Sequence, residues 1–330
     1  MQNFFPGLIK ASRRSLYFPF SLGHFANDFV PCSVVVLAPA ISLEMGLNPM
    51  EVGLLLTLHS LGSAVGYFPS GLLADSVKNR GNLLMLTFWW VGLGYLLASW
   101  APGFWSLALL FALAGCGDAA WHPLATAILV QADPQNRGQA LGFHAVGGTL
   151  SAVIGPVIVG FLLASMDWRE TLHWIILPTL LVGILFIQIR KWVPEQPERK
   201  AISREDFKHL WKSWTKKTGL LIICLISSYH MSLVALMSMI PLYLREFHGL
   251  SSVITGFAFG MMVLFGAFMQ PLMGRFSDRA GRRRVIVFGI ATSAVCAFMI
   301  PILENFGLLL LIIFFLLVGV GMLEGIRSSV

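Results

Sequence analysis

The sequence predicts an all-α polytopic membrane protein made of two related multi-helix halves, and three observations carry that expectation. Of its 330 residues, 56% are hydrophobic and only 12% are charged, against about a quarter charged in an ordinary soluble domain. Ten mostly apolar stretches each have the length of roughly 20 residues that a hydrocarbon core about 30 Å thick requires. A loop signature also occurs twice, as Gly71-Leu-Leu-Ala-Asp75-Ser-Val-Lys78-Asn-Arg80 and Gly274-Arg-Phe-Ser-Asp278-Arg279-Ala-Gly281-Arg282-Arg283-Arg284. The two copies lie 203 residues apart, an offset at which Gly53 meets Gly256, Gly71 meets Gly274, Asp75 meets Asp278 and Arg80 meets Arg283. Parallel repeats of this size mark transporters built from two bundles.

The predicted spans run over 18–41, 51–74, 83–101, 105–130, 138–164 and 172–189 in the first half, and over 219–244, 251–274, 285–303 and 306–327 in the second. The first is too long for a signal-peptide core and lacks a small-residue cleavage site, so it is expected in the mature protein. Residues 1–190 read as a six-helix N-terminal bundle, 191–217 as a linker, and 218–330 as an incomplete C-terminal bundle of four helices. Repeat logic predicts two further helices, ten being visible of an expected twelve. The linker holds Ser203-Arg-Glu-Asp206 ahead of Phe207, Leu210, Trp211 and Trp214 with lysines between. That is a capping pattern followed by i, i+3, i+4, i+7 spacing. It predicts an amphipathic helix on the cytoplasmic membrane surface, with partner docking as the alternative.

The net charge of +7 is a topology signal and gives no nucleic-acid partner. Lys10, Arg13, Arg14, Lys78, Arg80, Arg137, nine basic residues between Arg190 and Lys217, and Arg275, Arg279, Arg282, Arg283 and Arg284 fall on one side, against Arg169 and Arg245 on the other. The excess assigns the N-terminus and the linker to the cytoplasmic side; the expected location is a plasma membrane, the bacterial inner membrane. The four cysteines fall inside spans, which fits packing residues and indicates neither a disulfide framework nor a zinc site.

Ionisable groups within a bilayer cost at least a few kcal/mol each, so their positions point to function. They gather on spans 1, 4, 7 and 10: His24, Asn27 and Asp28; Asp118 and His122; His230; and Glu324. In a two-bundle transporter these spans are equivalent members of a triplet repeat around a central cavity. His59 on span 2 and His144 on span 5 depart from that pattern. His24 and Asp28 are i, i+4 with Asn27 beside them, and Asp118 and His122 repeat the spacing, with Pro123 releasing a backbone carbonyl near mid-membrane. An imidazole next to a carboxylate suits proton uptake and release; the competing role for the trio is to pack span 1 against span 5 or 7. Glu324 competes with a place near the interface, and His230 with an ordinary core histidine.

On span 5, Gly147, Gly148, Gly155, Pro156 and Gly160 predict close helix packing with a bend, compatible with a hinge. In the signature loops, Asp75 and Asp278 sit at helix C-termini, where the dipole disfavours a carboxylate. They need partners, and a helix N-terminus of the other half with basic neighbours would form a latch; a solvated turn is the alternative. Trp89, Trp90 and Trp121 are candidate aromatic contacts for cargo, with a lipid-facing place as the alternative for Trp89 and Trp90, and the lack of a mid-membrane arginine cluster suggests neutral or weakly charged cargo.

The duplicated Gly-x-x-x-Asp-Arg-x-Gly-Arg-Arg-type loop resembles the signature of the major facilitator superfamily. The second copy is nearly complete, whereas the first has Ser76 where Arg is usual and Lys78-Asn79 in place of Gly-Arg. Gly155-Pro156 with Gly160 is similar to the fifth-helix motif of that superfamily's antiporters. His24-x-x-Asn27-Asp28, Gly115-x-Gly117 with His122-Pro123, and Gly142-Phe143-x-x-Val146-Gly147-Gly148 resemble the fosmidomycin-resistance branch. The resemblance implies a major facilitator-like fold of twelve helices, proton-coupled export of a small, phosphonate-like or otherwise toxic compound, and pairing of Asp75 with an eleventh helix.

The function expected is therefore a proton antiporter exporting a small drug-like compound by alternating access, with protons and the lipid bilayer as its partners and a monomeric state. A proton symporter importing an organic anion or sugar is the alternative. A membrane-embedded enzyme using Asp118 and His122 is the remote one, since no His-x-x-x-His metal spacing occurs. No nucleotide-binding loop is found, so the proton gradient is the expected energy source, with no cofactor and no metal.

Overall fold

The computed structural model describes residues 16–195 and 204–303, and they form α-helices joined by short turns, with no strand among them. The first span is two helices, α1 (Tyr17–Asp28) and α2 (Val34–Met45), bent by 43° at a 3-10 turn over Pro31–Ser33. Pro31 lacks the N–H that would continue the ladder, which accounts for the bend. Four long helices follow: α3 (Pro49–Ser76), α4 (Arg80–Ala98), α5 (Phe104–Ala132) and α6 (Arg137–Leu162). The sixth span is α7 (Trp168–Ile175) and α8 (Leu177–Ile189), then α9 (Arg204–Thr215), α10 (Lys217–Glu246), α11 (Ser252–Ala280) and α12 (Arg282–Met299).

Seven helical segments are long and apolar enough to cross a membrane, and the bent α1–α2 pair makes an eighth. The 30-residue α10 occupies the seventh predicted span. The tenth, 306–327, lies outside the described residues, as do Ser203 and Glu324. The sixth span begins four residues ahead of its predicted start because Asp167 caps α7, accepting from the backbone N–H of Arg169 and Glu170. Arg169, a charge that ended the predicted span, is satisfied there by Glu44 at 3.0 Å and by the carbonyls of Ser99 and Ala101.

Lipid is as apolar as a leucine side chain, so helices in a bilayer associate through close contact rather than hydrophobic burial. Glycines supply that contact. Cβ atoms on Gly62 and Gly66 of α3 would strike the backbone at Ala112 and Cys116 of α5. Gly147 of α6 lies on the Ser21 carbonyl of α1, and Gly155 on Ser33. Gly160 meets Ser252 and Gly256 of α11, and Gly260 meets the Val153 carbonyl. The span 5 glycines thus join α6 to α1 on one side and to α11 on the other. Pro156 sits inside an α6 that runs unbroken to Leu162.

The first half contains two apolar layers. One gathers Phe20, Leu84, Phe88, Trp121, Leu124 and Phe186 towards the end where α1 begins. The other gathers Phe29, Val34, Tyr95, Leu107, Phe111 and Trp168 towards the opposite end, joined by Leu242 and Phe259 of the second half. Between the layers α1 and α5 present polar side chains. Trp121 belongs to the first layer, fully buried against Phe20, Phe88 and Phe186 at centroid distances of 5.9, 4.9 and 5.5 Å. It is a core residue rather than the cargo contact the sequence suggested, because Gly23 opens a slot for its ring, the nearest ring atom lying 2.5 Å from a Cβ placed there. Trp90 spends its indole N–H on the Leu113 carbonyl at 2.7 Å.

This packing predicts that Gly62→Val forces α3 and α5 apart and costs about 1–3 kcal/mol of stability, the range for overpacked cores. Gly142→Ala, whose Cβ meets nothing within 4 Å, should not destabilise. Thermal denaturation of the detergent-solubilised protein compares the two.

Candidate functional site: a polar layer between α1, α5 and α6

α1 and α5 expose their i, i+4 pairs to each other at one level of the bundle, and Asn27 ties them together. Its fully buried amide nitrogen donates to the Asp118 carboxylate at 2.7 Å, to the Asp118 carbonyl at 3.1 Å and towards Asp28 Oδ1 at 3.2 Å. Two hydrogens serve three acceptors, so the amide is shared between the two carboxylates. Asn27 Oδ1 is buried with no partner.

His24 completes the layer. Its Nδ1 lies 2.8 Å from the His144 carbonyl, which can only accept, so this nitrogen carries a hydrogen. Its Nε2 lies 3.1 Å from Asp28 Oδ2. His122 approaches the other Asp28 oxygen at 3.7 Å. The His144 ring stacks on His24 with centroids 4.1 Å apart and planes 19° apart, and its Nδ1 points to the Phe20 carbonyl at 3.3 Å. Gly148 makes room for this arrangement: a Cβ there would stand 2.6 Å from His24 Cε1 and Nε2. Side chains at this level are mostly enclosed, His24, Asp28 and His122 being 14%, 15% and 22% exposed.

The layer therefore brings together His24, Asn27, Asp28, Asp118, His122 and His144. The His230 and Glu324 side chains lie outside what is described. Sequence reasoning overlooked Tyr67, which stacks on the ring of His122 at 5.8 Å and is half exposed. It also left His59 unpartnered, whereas His59 Nε2 meets Tyr95 Oη at 2.6 Å. The tyrosines carry no charge and so gave no signal in a search for ionisable groups.

Metal ligation is the obvious alternative use. His24, His122 and His144 offer ligand atoms within 4.8 Å of one another, and so do Asp28, Asp118 and His122. A metal binds in the plane of an imidazole, however, and the near-parallel stack of His24 on His144 keeps an ion in one ring's plane out of the other's. The space between the carboxylates is spanned by the Asn27 amide. Neither set fits a tetrahedral ion without turning a ring or displacing that amide.

The basic end of the first half is built around Arg80, which is 1% exposed. It donates to Gln131 Oε1 at 2.6 Å and to the Pro194 carbonyl at 3.1 Å. Lys78 pairs with Glu195 at 3.1 Å and Tyr17 donates to Asp133 at 2.7 Å. The first signature loop thus grips α5 and the start of the linker, while Asp75 at the end of α3 stays exposed. In the second loop Gly281 has φ of 89°, a conformation that favours glycine, and forms the one-residue turn between α11 and α12. Arg279 and Arg283 are exposed beside it; the side chains of Asp278 and Arg282 fall outside the description, as does Gly274 beyond its place in α11.

Because His24 rests on Gly148, Gly148→Val should push the imidazole off Asp28 while leaving the apolar layers in place. The histidine NMR signal lost in His24→Gln should then move in the variant, with the melting temperature changed by less than a few degrees.

Comparison with known proteins places this architecture. The chain is 29% identical over 279 residues to the probable 4-methylmuconolactone transporter of Cupriavidus pinatubonensis, covering 81% of this chain and 62% of that protein. It is 25% identical over 305 residues to the fosmidomycin resistance protein of Escherichia coli, covering 90% and 74%. The chain thus spans less than two thirds of the first relative's length. A crystal structure of a bacterial homologue of the human lysosomal transporter Spinster, inward-facing and unoccupied, superposes with a TM-score of 0.75 at 18% identity, over 97% of this chain and 75% of that one. The profile of the Major Facilitator Superfamily matches residues 20–327. With its membrane-spanning helices and duplicated signature loop, the chain belongs to the Major Facilitator Superfamily.

Proposed function

We propose that the protein is a proton-coupled secondary transporter that exports a small toxic or drug-like compound by alternating access, with the N-terminus in the cytoplasm of a bacterial inner membrane. The observation that carries this reading is the His24–Asp28 contact. His24 Nδ1 is committed as a donor to a carbonyl, and Nε2 faces a carboxylate oxygen at 3.1 Å. Without a proton between them two lone pairs would oppose each other. With one, the pair is a hydrogen-bonded couple that holds a transferable proton in an otherwise apolar span, where an unpaired charge is costly.

Alternating access follows from where that proton sits. The polar layer lies between two apolar layers, and α6 touches both α1 at Gly147, Gly148 and Gly155 and α11 at Gly160. A change in the charge of His24 alters the α1–α6 contact directly, and α6 carries it to the second half. Proton entry from the outer face favours cargo release, and proton departure to the cytoplasm resets the site. Within this reading residues 1–190 act as one rocking bundle, 191–217 as the tether and the chain from 218 onwards as part of the other bundle. The basic loops set the orientation. The names of the relatives, one for fosmidomycin resistance and one for 4-methylmuconolactone transport, support small-molecule cargo.

The test is pH-gradient-driven flux of fosmidomycin and of 4-methylmuconolactone in proteoliposomes holding the whole protein. Gradient-driven flux that falls at least tenfold in Asp28→Asn is expected. Flux indifferent to the gradient would overturn proton coupling, and flux driven inward with the proton would replace export with symport. A gradient response that survives Asp28→Asn would move the proton to Asp118.

A further inference from the structure

A second hydrogen-bonded pair lies above the polar layer, on the side away from the basic end. His59 Nε2 and Tyr95 Oη are 2.6 Å apart, Tyr95 is fully buried, and both rings rest edge-on against Phe111 at 6.2 and 5.5 Å. The pair is positioned by α5. A Cβ on Gly115 would stand 2.7 Å from the His59 carbonyl and 3.3 Å from its ring, so His59 lies at the level of Gly115. Gly115, Asp118 and His122 are i, i+3, i+7, one face of α5. At 1.5 Å per residue they form a staircase of about 10 Å along the membrane normal. Asp118 thus lies three residues, about 4.5 Å along the axis, from the level at which α5 meets His59. His59 is ten residues, about 15 Å, into α3 from Pro49, which lies towards the far end of the bundle, and is only partly enclosed.

Resting on the proton-coupling reading, we propose that Tyr95 and His59 are the outward branch of the proton path, linking Asp118 to the face of the membrane opposite the basic loops. In the outward direction, protonated Asp118 gives its O–H proton to Tyr95 Oη across intervening water. The Tyr95 hydroxyl simultaneously passes its own proton to His59 Nε2. Asp118 becomes a carboxylate, Tyr95 stays neutral, and His59 becomes an imidazolium that releases its Nδ1 proton to the far side. Ring rotation then returns a lone pair to Tyr95, and the charges balance at each step.

The pair also has a plain structural use, as a hydrogen bond that fastens α3 to α4, and the experiment separates the two. Whole protein is reconstituted with the basic loops inside sealed vesicles, and an alkaline pH jump is applied outside only. Time-resolved infrared spectroscopy follows the protonated carboxyl band that is lost in Asp118→Asn. The expected result is loss of that band after the external jump in the wild type, slowed at least tenfold in both Tyr95→Phe and His59→Gln. A loosened structure would speed deprotonation, so slowing is specific to a severed path. Unchanged rates in the two variants, faster rates, or no Asp118 band responding to the outer face in the wild type would each overturn the proposal. Because the readout needs no cargo, its failure is separate from a flux that ignores the gradient, which would instead remove proton coupling.

Discussion

The amide of Asn27 is the contact on which the polar layer depends. Two carboxylates, Asp28 and Asp118, sit at one level of an apolar bundle, and in a medium of low dielectric like charges at such range repel strongly. A single donor shared by both oxygens, with His24 and His122 on the remaining side, makes that level tolerable. Every other feature of the site accommodates this arrangement. Gly148 leaves space for His24, the His144 carbonyl fixes its Nδ1, and the Pro31 turn ends α1 just past Asp28.

Packing and chemistry are separated by level. Aromatic rings around Trp121 fill the layer towards the basic end, and Tyr95, Phe111 and Trp168 fill the one beyond. Tyr95, in the second of these layers, turns its hydroxyl to His59. Helix contacts through glycine bring backbones within van der Waals distance, so a displacement of one helix is felt by its neighbour rather than absorbed by flexible side chains. That stiffness couples a displacement at the α1–α6 contact to α11, two helix contacts away.

The loops do a different job from the layer. Arg80, buried in the basic end, holds three chain segments together through Gln131 and the Pro194 carbonyl. This explains why an arginine occupies that place in the first signature copy even though Lys78-Asn79 departs from the usual pattern. In the second copy Gly281 has a backbone conformation that a side chain rarely adopts, so its place in the signature is a turn requirement.

The apolar spans, the repeat offset, the linker helix and the i, i+4 pairs were determined by sequence, because each depends on spacing within one helix or on composition. His24 with Asp28, and Asp118 with His122, could be placed on common faces without knowing what they faced. Tertiary structure alone decided their partners. Asn27 and Asp118 are 91 residues apart, and His24 and His144 are 120 apart; no local pattern encodes such a meeting. The same holds for Trp121, whose size and position suggested a cargo contact until the slot at Gly23 drew it into the core, and for His59 with Tyr95. Periodicity specifies which side of a helix is polar. Only the close approach of one helix to another, set here by glycines on α1, α3, α5 and α6, specifies which polar groups share a hydrogen.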